Sequence, residues 1–588
     1  MRAQTNGIRQ RGPTFQFRFE GRSIEARKGD TIASALIAAG VLRFGTDRQG
    51  AGRGVFCGMG VCGDCQVLVG DRTRRACVEP ARENIAVFRG PAHVPTQCST
   101  TSNHPGKWRE RRPDVLIVGA GPAGLSAARV AASAGLDVVV VDERLKTGGQ
   151  YFKQPSDGFD VDFSKVDARF AKGHELALQA RDAGAEFIFG AAVWGTFAPN
   201  RVAILTDEHT MLIDPQRLIL SPGAYERTPP VPGWTLPGFV TTGAAQTLLR
   251  ANQTAVAKRV LVAGNGPLNL QVAHELVAAG VDVAAVVELA AAPHTASLSA
   301  LLGIMLNGPQ LALAGVAHLA SLRWKRVPVR YRHVLVAAKG DESVQGAIIA
   351  RVDAQGRPVA GTHETFEVDA ICVNYGFLPQ SQLARSLGCH FRYDNDTGEI
   401  DAVRGNDGRT NIANVFIVGD AGGLGGAPVA MNQGTLAALS VIADLSPSSA
   451  VLATRSRCER SLRRNRRFQK ALWQVYDAPF PATGLADSET SICRCERVSK
   501  RAIEHCLAGD AKSFGPVKRA TRLGMGRCQG RYCTTLLASL MHETLGDDCN
   551  MRDFFAPRVP VRPMPIAQLA GSYGEALTPV DLFQTGDK

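Results

Sequence analysis

The hydrophobic pattern changes period several times along the chain. Phe15, Phe17 and Phe19 alternate with Gln16 and Arg18, a period of two that predicts a half-buried strand. Gly21 permits a turn, Ile24 and Ala26 continue on a return strand, and Asp30 can cap the helix TIASALIAAG, which ends at Gly40. Further on, one order occurs twice: an apolar strand, a glycine-rich turn, a helix and a second apolar strand. It spans PDVLIVGAGPAGLSAARVAASAGLDVVVVDE at 113–143 and KRVLVAGNGPLNLQVAHELVAAGVDVAAVVE at 258–288. Strands without polar alternation are expected to be buried on both faces, as in a parallel sheet covered by helices. RSLRRNRRFQKALWQVY predicts a basic helix, and the segment after Met551, with Pro557, Pro560, Pro563 and Pro565, reads as an extended arm able to wrap a partner.

The first repeat carries Gly119, Gly121 and Gly124 as G-x-G-x-x-G, with Pro122 and Ala123 between them. Gly119 allows the tight turn, Gly121 lets the backbone approach a pyrophosphate at the helix N-terminus, and Gly124 lets helix and strand pack closely. The second strand ends in Asp142 and Glu143. Asp142 stands where a carboxylate accepts hydrogen bonds from a ribose, with Glu143 as the alternative. These elements together predict a dinucleotide site. In the second repeat the pattern is Gly264-Asn265-Gly266-Pro267-Leu268-Asn269, and Asn269 crowds the contact that a third glycine would relieve. Glu288 could still hold a ribose. A degenerate fold kept for packing or partner binding is expected, with NAD(P) not held there and another adenine nucleotide as the alternative.

Fourteen cysteines add the next constraint. Cys57, Cys62, Cys65 and Cys77 follow C-x4-C-x2-C-x11-C, with Gly58, Gly60 and Gly63 between ligands. That order is the plant-type [2Fe–2S] pattern, whereas a zinc knot usually pairs its ligands as two C-x2-4-C units. Cys493, Cys495, Cys528 and Cys533 follow C-x-C-x32-C-x4-C, which spacing alone leaves open between iron–sulfur, zinc and incidental thiols. The other six cysteines read as small core residues.

Composition narrows the class. The 588 residues, 45% hydrophobic and 21% charged, exclude a disordered chain. The +13 net charge is scattered and gives no case for nucleic-acid binding. No apolar run of about 18 residues predicts a transmembrane helix, and the N-terminus has no secretory pattern. A cytoplasmic protein is expected, with cysteines that bind metal rather than pair as disulfides.

Several motifs also carry resemblances. Gly148-Gly149-Gln150, SPGAYERTPPVPG at 221–233 and VFIVGDAGG at 415–423, with Gly419 and Asp420, resemble the FAD-dependent two-dinucleotide-domain flavoproteins of the disulfide-reductase superfamily. That likeness implies FAD, contacted by Gly149 and Gln150, with Asp420 on its ribityl and phosphate part, and it makes the second repeat the NAD(P)-like domain. The N-terminal order resembles a β-grasp ferredoxin. ICRCERVSKRAIEHC and GMGRCQGRYC resemble the helical [2Fe–2S] domain of bacterioferritin-associated ferredoxin. The expected fold is therefore α/β, with residues 1–105 a ferredoxin domain, 113–250 and 376–450 a split FAD domain, 257–375 the NAD(P)-like insertion, 451–485 a basic helical linker, 486–550 the second [2Fe–2S] domain and 551–588 a tail. This whole arrangement resembles the A subunits of heteromeric amino-acid and opine dehydrogenases, such as opine oxidases, hydroxyproline dehydrogenase and hydrogen cyanide synthase. The resemblance implies a partner FAD subunit like glycine or sarcosine oxidase that oxidises a C–N bond. It further implies FMN at the subunit boundary in some relatives, electron delivery from this chain to a quinone or another acceptor, and membrane association through the partner or that acceptor. The competing reading is a stand-alone NAD(P)H-dependent ferredoxin-type reductase. No catalytic residue is identified in this chain.

Overall fold

A computed structural model describes residues 1–3, 5–70, 72–90, 109–197, 200–206, 210–446 and 450–564. Cys98, residues 106–108 between the first two expected domains, and Pro565 with the rest of the tail lie outside the described residues.

The N-terminal strands form one five-stranded sheet in the order Arg22–Arg27, Thr14–Phe19, Ala86–Arg89, Gln66–Val69 and Arg72–Arg75. Thr14–Phe19 is antiparallel to Arg22–Arg27 and parallel to Ala86–Arg89. Phe17, Phe19, Ile24 and Ala26 are buried in the core that also takes the helix Ile32–Ala38. The cap of that helix corrects the sequence reading. Thr31, not Asp30, is the N-cap: its hydroxyl accepts from Ser34 N at 3.1 Å, and Ser34 Oγ accepts from Thr31 N at 3.0 Å. Asp30, one residue too early, accepts from Arg27 N at 2.8 Å and from the Ser34 hydroxyl at 3.0 Å.

Two parallel five-stranded sheets follow. The first runs Glu186–Phe189, Val138–Asp142, Val115–Val118, Arg217–Leu220 and Val415–Ile417. Its glycine turn lies at the C-terminal edge, where open α/β sheets bind ligands. The second runs Phe239–Thr241, Ala370–Asn374, Arg259–Gly264, Asp282–Glu288 and Val329–Tyr331. This order moves one expected boundary. The sequence pattern places residues 239–250 in the first nucleotide fold, but Phe239–Thr241 pairs in parallel with Ile371–Val373, and the helix Thr242–Asn252 packs into the core of the second fold. The antiparallel pair Ala224–Glu226 and Phe377–Pro379 links the two folds.

The basic helix runs Ala450–Val475. A hairpin of Ser491–Cys493 and Val498–Ser499 and three helices, Lys500–Ala508, Phe514–Thr521 and Thr534–Leu545, form the C-terminal unit. The tail up to residue 564 folds back on its own chain: Val561 N donates to Trp194 O at 2.8 Å, and Arg562 pairs with Glu143. Among the described residues no single helix is long and apolar enough to cross a membrane.

Candidate functional site

The first glycine turn has two kinds of glycine. At Gly119, with φ +104°, a Cβ would stand 2.4 Å from Ser221 O; at Gly124 it would stand 1.9 Å from Gly119 O. Those two are required by the protein's own packing. At Gly121 a Cβ would meet only Gly149 Cα, at 3.9 Å. The fold leaves that space open above the N-terminus of Pro122–Ser133, where amides and helix dipole favour an anion.

Loops from three places close around this turn. Asp142 accepts from Ala120 N at 2.7 Å and from Arg144 N at 2.8 Å, which holds its carboxylate at the loop. Gly149 lies against Gly121, and the neighbouring Gln150 has a buried Oε1 without a hydrogen-bond partner. Gly419 approaches Ala123, and Gly434 on Gly426–Leu445 packs on the Ala123 carbonyl, bringing the late glycine turn beside the first helix. Asp420 accepts from Gly425 N at 3.0 Å and Gly426 N at 3.1 Å, so it caps that later helix. Burial raises both aspartates above the usual carboxylate range.

Glu143 has another task than the one expected for it. It pairs with Arg75 at 2.5 Å and with Arg562. Burial opposes its charge, but the two guanidinium groups outweigh that and hold the carboxyl well below its ordinary range. Arg75 also donates to Gly60 O at 2.6 Å, inside the first cysteine loop. Glu143 thus ties the flavoprotein core to the N-terminal domain and the tail.

The second glycine turn is filled by its own chain. Asn269 is fully buried; its amide donates to Asn374 O at 3.0 Å and its carbonyl accepts from Thr242 Oγ1 at 2.9 Å. Glu288 accepts from Gly266 N and Ala290 N, both at 3.1 Å, and burial raises its carboxyl to about 8. From the end of the basic helix, Trp473 lies against Gly266, and Asn265 Nδ2 donates to Tyr476 O at 3.0 Å. An indole and a backbone carbonyl therefore occupy the approach that a pyrophosphate would use.

The eight cysteines of the two groups form two clusters of free thiols, all buried except the half-buried Cys495. In the first, Cys62 N donates to Cys57 Sγ at 3.4 Å and Asp64 N to Cys62 Sγ at 3.5 Å. Desolvation would raise the Cys57 thiol, but Cys62 and the amides of Met59, Cys62 and Val61 outweigh it and lower it. In the second, Cys493 and Cys495 sulfurs lie 3.8 Å apart and Cys495 and Cys528 sulfurs 3.7 Å apart, with the Cys493 and Cys533 thiols in hydrogen-bond contact. A Cβ at Gly526 would be 2.3 Å from Cys495 Sγ, so only glycine lets that backbone reach the sulfur. A [2Fe–2S] unit would spread each set of four thiolates over two irons.

The two cysteine loops dock on each other, a feature the sequence reading missed. Arg494, between Cys493 and Cys495, donates through Nε to Asp64 Oδ2 at 2.9 Å, with a second nitrogen at 2.8 Å. Its guanidinium lies 3.9 Å from the Phe56 ring centre and 4.9 Å from that of Trp234. Phe56 meets Tyr532 edge to face at 5.3 Å, and Gly63 faces Arg527. A small cavity between the loops is lined by Cys62 on one side and by Cys493, Cys495, Cys528 and Cys533 on the other. An acid in CGDC and a base in CRC are the only signal in the sequence, and nothing local says that loops 430 residues apart meet.

Comparison with known proteins agrees with this architecture. Residues 113–434 match the pyridine nucleotide-disulphide oxidoreductase family, 12–90 a 2Fe-2S iron-sulfur cluster binding domain, and 491–543 a BFD-like [2Fe-2S] binding domain. The last match decides the question that the second cysteine spacing left open. Fold and site define an oxidoreductase, a two-nucleotide-domain flavoprotein carrying FAD and two [2Fe–2S] clusters. The chain is 32% identical over 470 residues to the A subunit of opine oxidase from Rhizobium meliloti (strain 1021), covering 78% of this chain and 98% of that one. It is 30% identical over 467 residues to the HcnB subunit of hydrogen cyanide synthase from Pseudomonas protegens, covering 77% and 96%. The crystal structure of L-proline dehydrogenase from P. horikoshii shares the fold, with a TM-score of 0.70, 18% identity and coverage of 95% and 98%. The chain belongs to the family of flavin- and iron–sulfur-containing A subunits of heteromeric amino-acid and opine oxidases.

The residues present fit these groups. The open cradle at Gly121 and the unpartnered Gln150 oxygen suit a flavin dinucleotide, and two sets of four thiols suit two clusters.

Proposed function

We propose that this chain is the electron-transfer subunit of a hetero-oligomeric dehydrogenase that oxidises a C–N bond of an amino acid, an opine or a related secondary amine. Bond breaking would take place on a partner flavoprotein subunit resembling glycine or sarcosine oxidase. A flavin accepts electrons in pairs and can release them singly, and each cluster carries one.

In this reading the chain's own residues bind, orient and insulate. The Gly119–Gly124 turn takes the pyrophosphate with Pro122 and Ala123, Asp142 the adenosine ribose, and Gly149, Gln150, Gly419 and Asp420 the flavin side of the dinucleotide. Cys57, Cys62, Cys65 and Cys77 hold one cluster, and Cys493, Cys495, Cys528 and Cys533 the other. The observation that carries the reading is the buried docking of one cysteine loop on the other through Asp64 and Arg494, a short path for electrons rather than a pocket for a substrate. The competing NAD(P)H-dependent reductase is disfavoured by Asn269, Trp473 and Tyr476 at the second glycine turn.

The test is co-expression with a candidate partner subunit. The pair should co-purify and reduce a dye in the presence of the amine substrate, while this chain alone should not. Rapid bleaching of the flavin by NADH in the isolated chain would overturn the proposal.

A further inference from the structure

Between Asp282–Glu288 and Val329–Tyr331 the chain makes two extra helices, Leu298–Asn307 and Pro309–Trp324, which meet at Gly308 with a bend of 114°. Residues 298–324 contain no Asp, Glu or Lys and one arginine, Arg323. In a soluble core such helices would be covered. Here only Ala300 and Leu322 are buried, and eight of the fourteen large hydrophobic residues exposed among the described residues fall in this pair. Leu298, Leu306 and Trp324 are 73%, 74% and 85% exposed. A patch of this kind marks an interaction surface.

The neighbouring helix specifies what the surface meets. Ala450–Val475 lies along Leu298–Asn307, with Phe468 against Gly308, Ala471 against Gly303, and Arg464 Nε donating to Asn307 O at 3.0 Å. It carries Arg457, Arg460, Arg463, Arg467 and Lys470 in exposed positions, against the single acid Glu459. Trp324 is followed by the exposed Lys325 and Arg326, an aromatic ring beside cations at the end of the apolar pair. At 1.5 Å per residue the two helices are about 15 and 24 Å long, short of the roughly 30 Å hydrocarbon layer, and bent. Neither helix alone reaches across such a layer, and the bend lets both lie in its surface.

We infer that this helix pair, together with the exposed arginines of Ala450–Val475, docks the chain on a phospholipid surface bearing anionic headgroups. The apolar helices enter the headgroup boundary, and the arginines take the phosphates beside them. An acidic protein partner is the rival occupant. The lipid fits better because the apolar pair carries a single charge, Arg323, and so offers an acidic protein no row of cations of its own, and because the cations flank it rather than interleave with it.

The test is flotation of the intact holoprotein with vesicles of phosphatidylcholine alone or mixed with phosphatidylglycerol. Binding to the mixed vesicles should exceed binding to neutral ones by more than about tenfold and fall with added salt. The variant L302E/L306E, checked for unchanged flavin and iron content, should lose more than about tenfold in binding to the mixed vesicles. R460E/R463E, which alters exposed helix positions that packing does not use, should lose the preference for phosphatidylglycerol and keep the weak neutral binding. Absence of binding to either vesicle, or unchanged binding by both variants, overturns the inference. So does loss of a co-purifying subunit by L302E/L306E with vesicle binding intact, which would make the surface a protein interface.

Discussion

Replacing Arg494 by Met should loosen the contact between the two cysteine loops far more than replacing both members of its ion pair. Arg494 and Asp64 are each less than a tenth exposed, and the pair is joined by two nitrogens on one carboxylate oxygen at 2.8 and 2.9 Å. Methionine fills much of the same volume but takes from the buried Asp64 carboxylate its two-nitrogen partner, leaving Arg527 as the cation nearby. Breaking a buried pair in this way costs about 3–5 kcal/mol. The lost stacking on Phe56 and Trp234 adds about 1–2 kcal/mol, partly the same energy counted from the other side. In D64L/R494M no charge is stranded, so most of the first cost should vanish and the double variant should be more stable than R494M alone.

A multidomain cofactor protein does not unfold in two states, so a global midpoint is the wrong readout. Amide hydrogen exchange reports the local opening. After iron, sulfide and flavin contents are shown to equal those of the wild type, protection of the amides in 57–65 and 493–497 should fall by about a hundred- to a few thousand-fold in R494M. It should recover by at least about tenfold in D64L/R494M. Wild-type protection in R494M, or a double variant no better protected than R494M, would refute the claim that this ion pair holds the loops together.

Gly121→Val should give folded protein that lacks flavin, since a Cβ there meets no protein atom closer than 3.9 Å, whereas Gly124→Val should misfold, because its Cβ would fall 1.9 Å from Gly119 O; flavin absorbance and circular dichroism separate the two. Cys62→Ser should retain flavin and lose about half the iron, read by metal analysis, because the two cysteine groups are separate ligand sets. Glu288 should make stability fall with rising pH. Its carboxyl titrates near 8 in the folded protein and 4.5 otherwise, so between these values the unfolded chain releases a proton that the folded one keeps. The loss should reach up to about 5 kcal/mol by pH 8 and then level off, and Glu288→Gln should remove that slope in the exchange protection of the Gly266 and Ala290 amides, corrected for intrinsic rates at several pH values.

The parts of this fold that could be read from the sequence are those where chemistry or backbone geometry dictates residue type at fixed spacing. Three glycines after an apolar strand, four cysteines in a tight loop and alternating phenylalanines all state a local requirement. The parts that could not be read depend on partners distant in the chain. Glu143 follows Asp142 directly, and only the arrival of Arg75 and Arg562 separates their roles. Phe239–Thr241 is apolar enough for either sheet, and its pairing with Ile371–Val373 decides its fold. Thr31 displaces Asp30 as the cap because the hydroxyl, one residue nearer, reaches the Ser34 amide while Asp30 is drawn to Arg27 N.

The second nucleotide fold joins these two kinds of information. Its sequence departs from a working turn at one position, Asn269, and that departure alone could be tolerated by a small shift of the helix. The structure shows it compensated instead. The Asn269 amide reaches Asn374 O, its carbonyl takes the Thr242 hydroxyl, and Thr242 begins the helix that lies against Gly58 of the first cysteine loop. On the other side, Trp473 and Tyr476 close the turn from the helix that leads to the second cysteine group. A residue that would weaken phosphate binding thus sits between the segments that carry the two clusters. Under the proposed function, a fixed support at this turn in place of a ligand site suits a path for electrons, since transfer depends on distances between the groups that carry them.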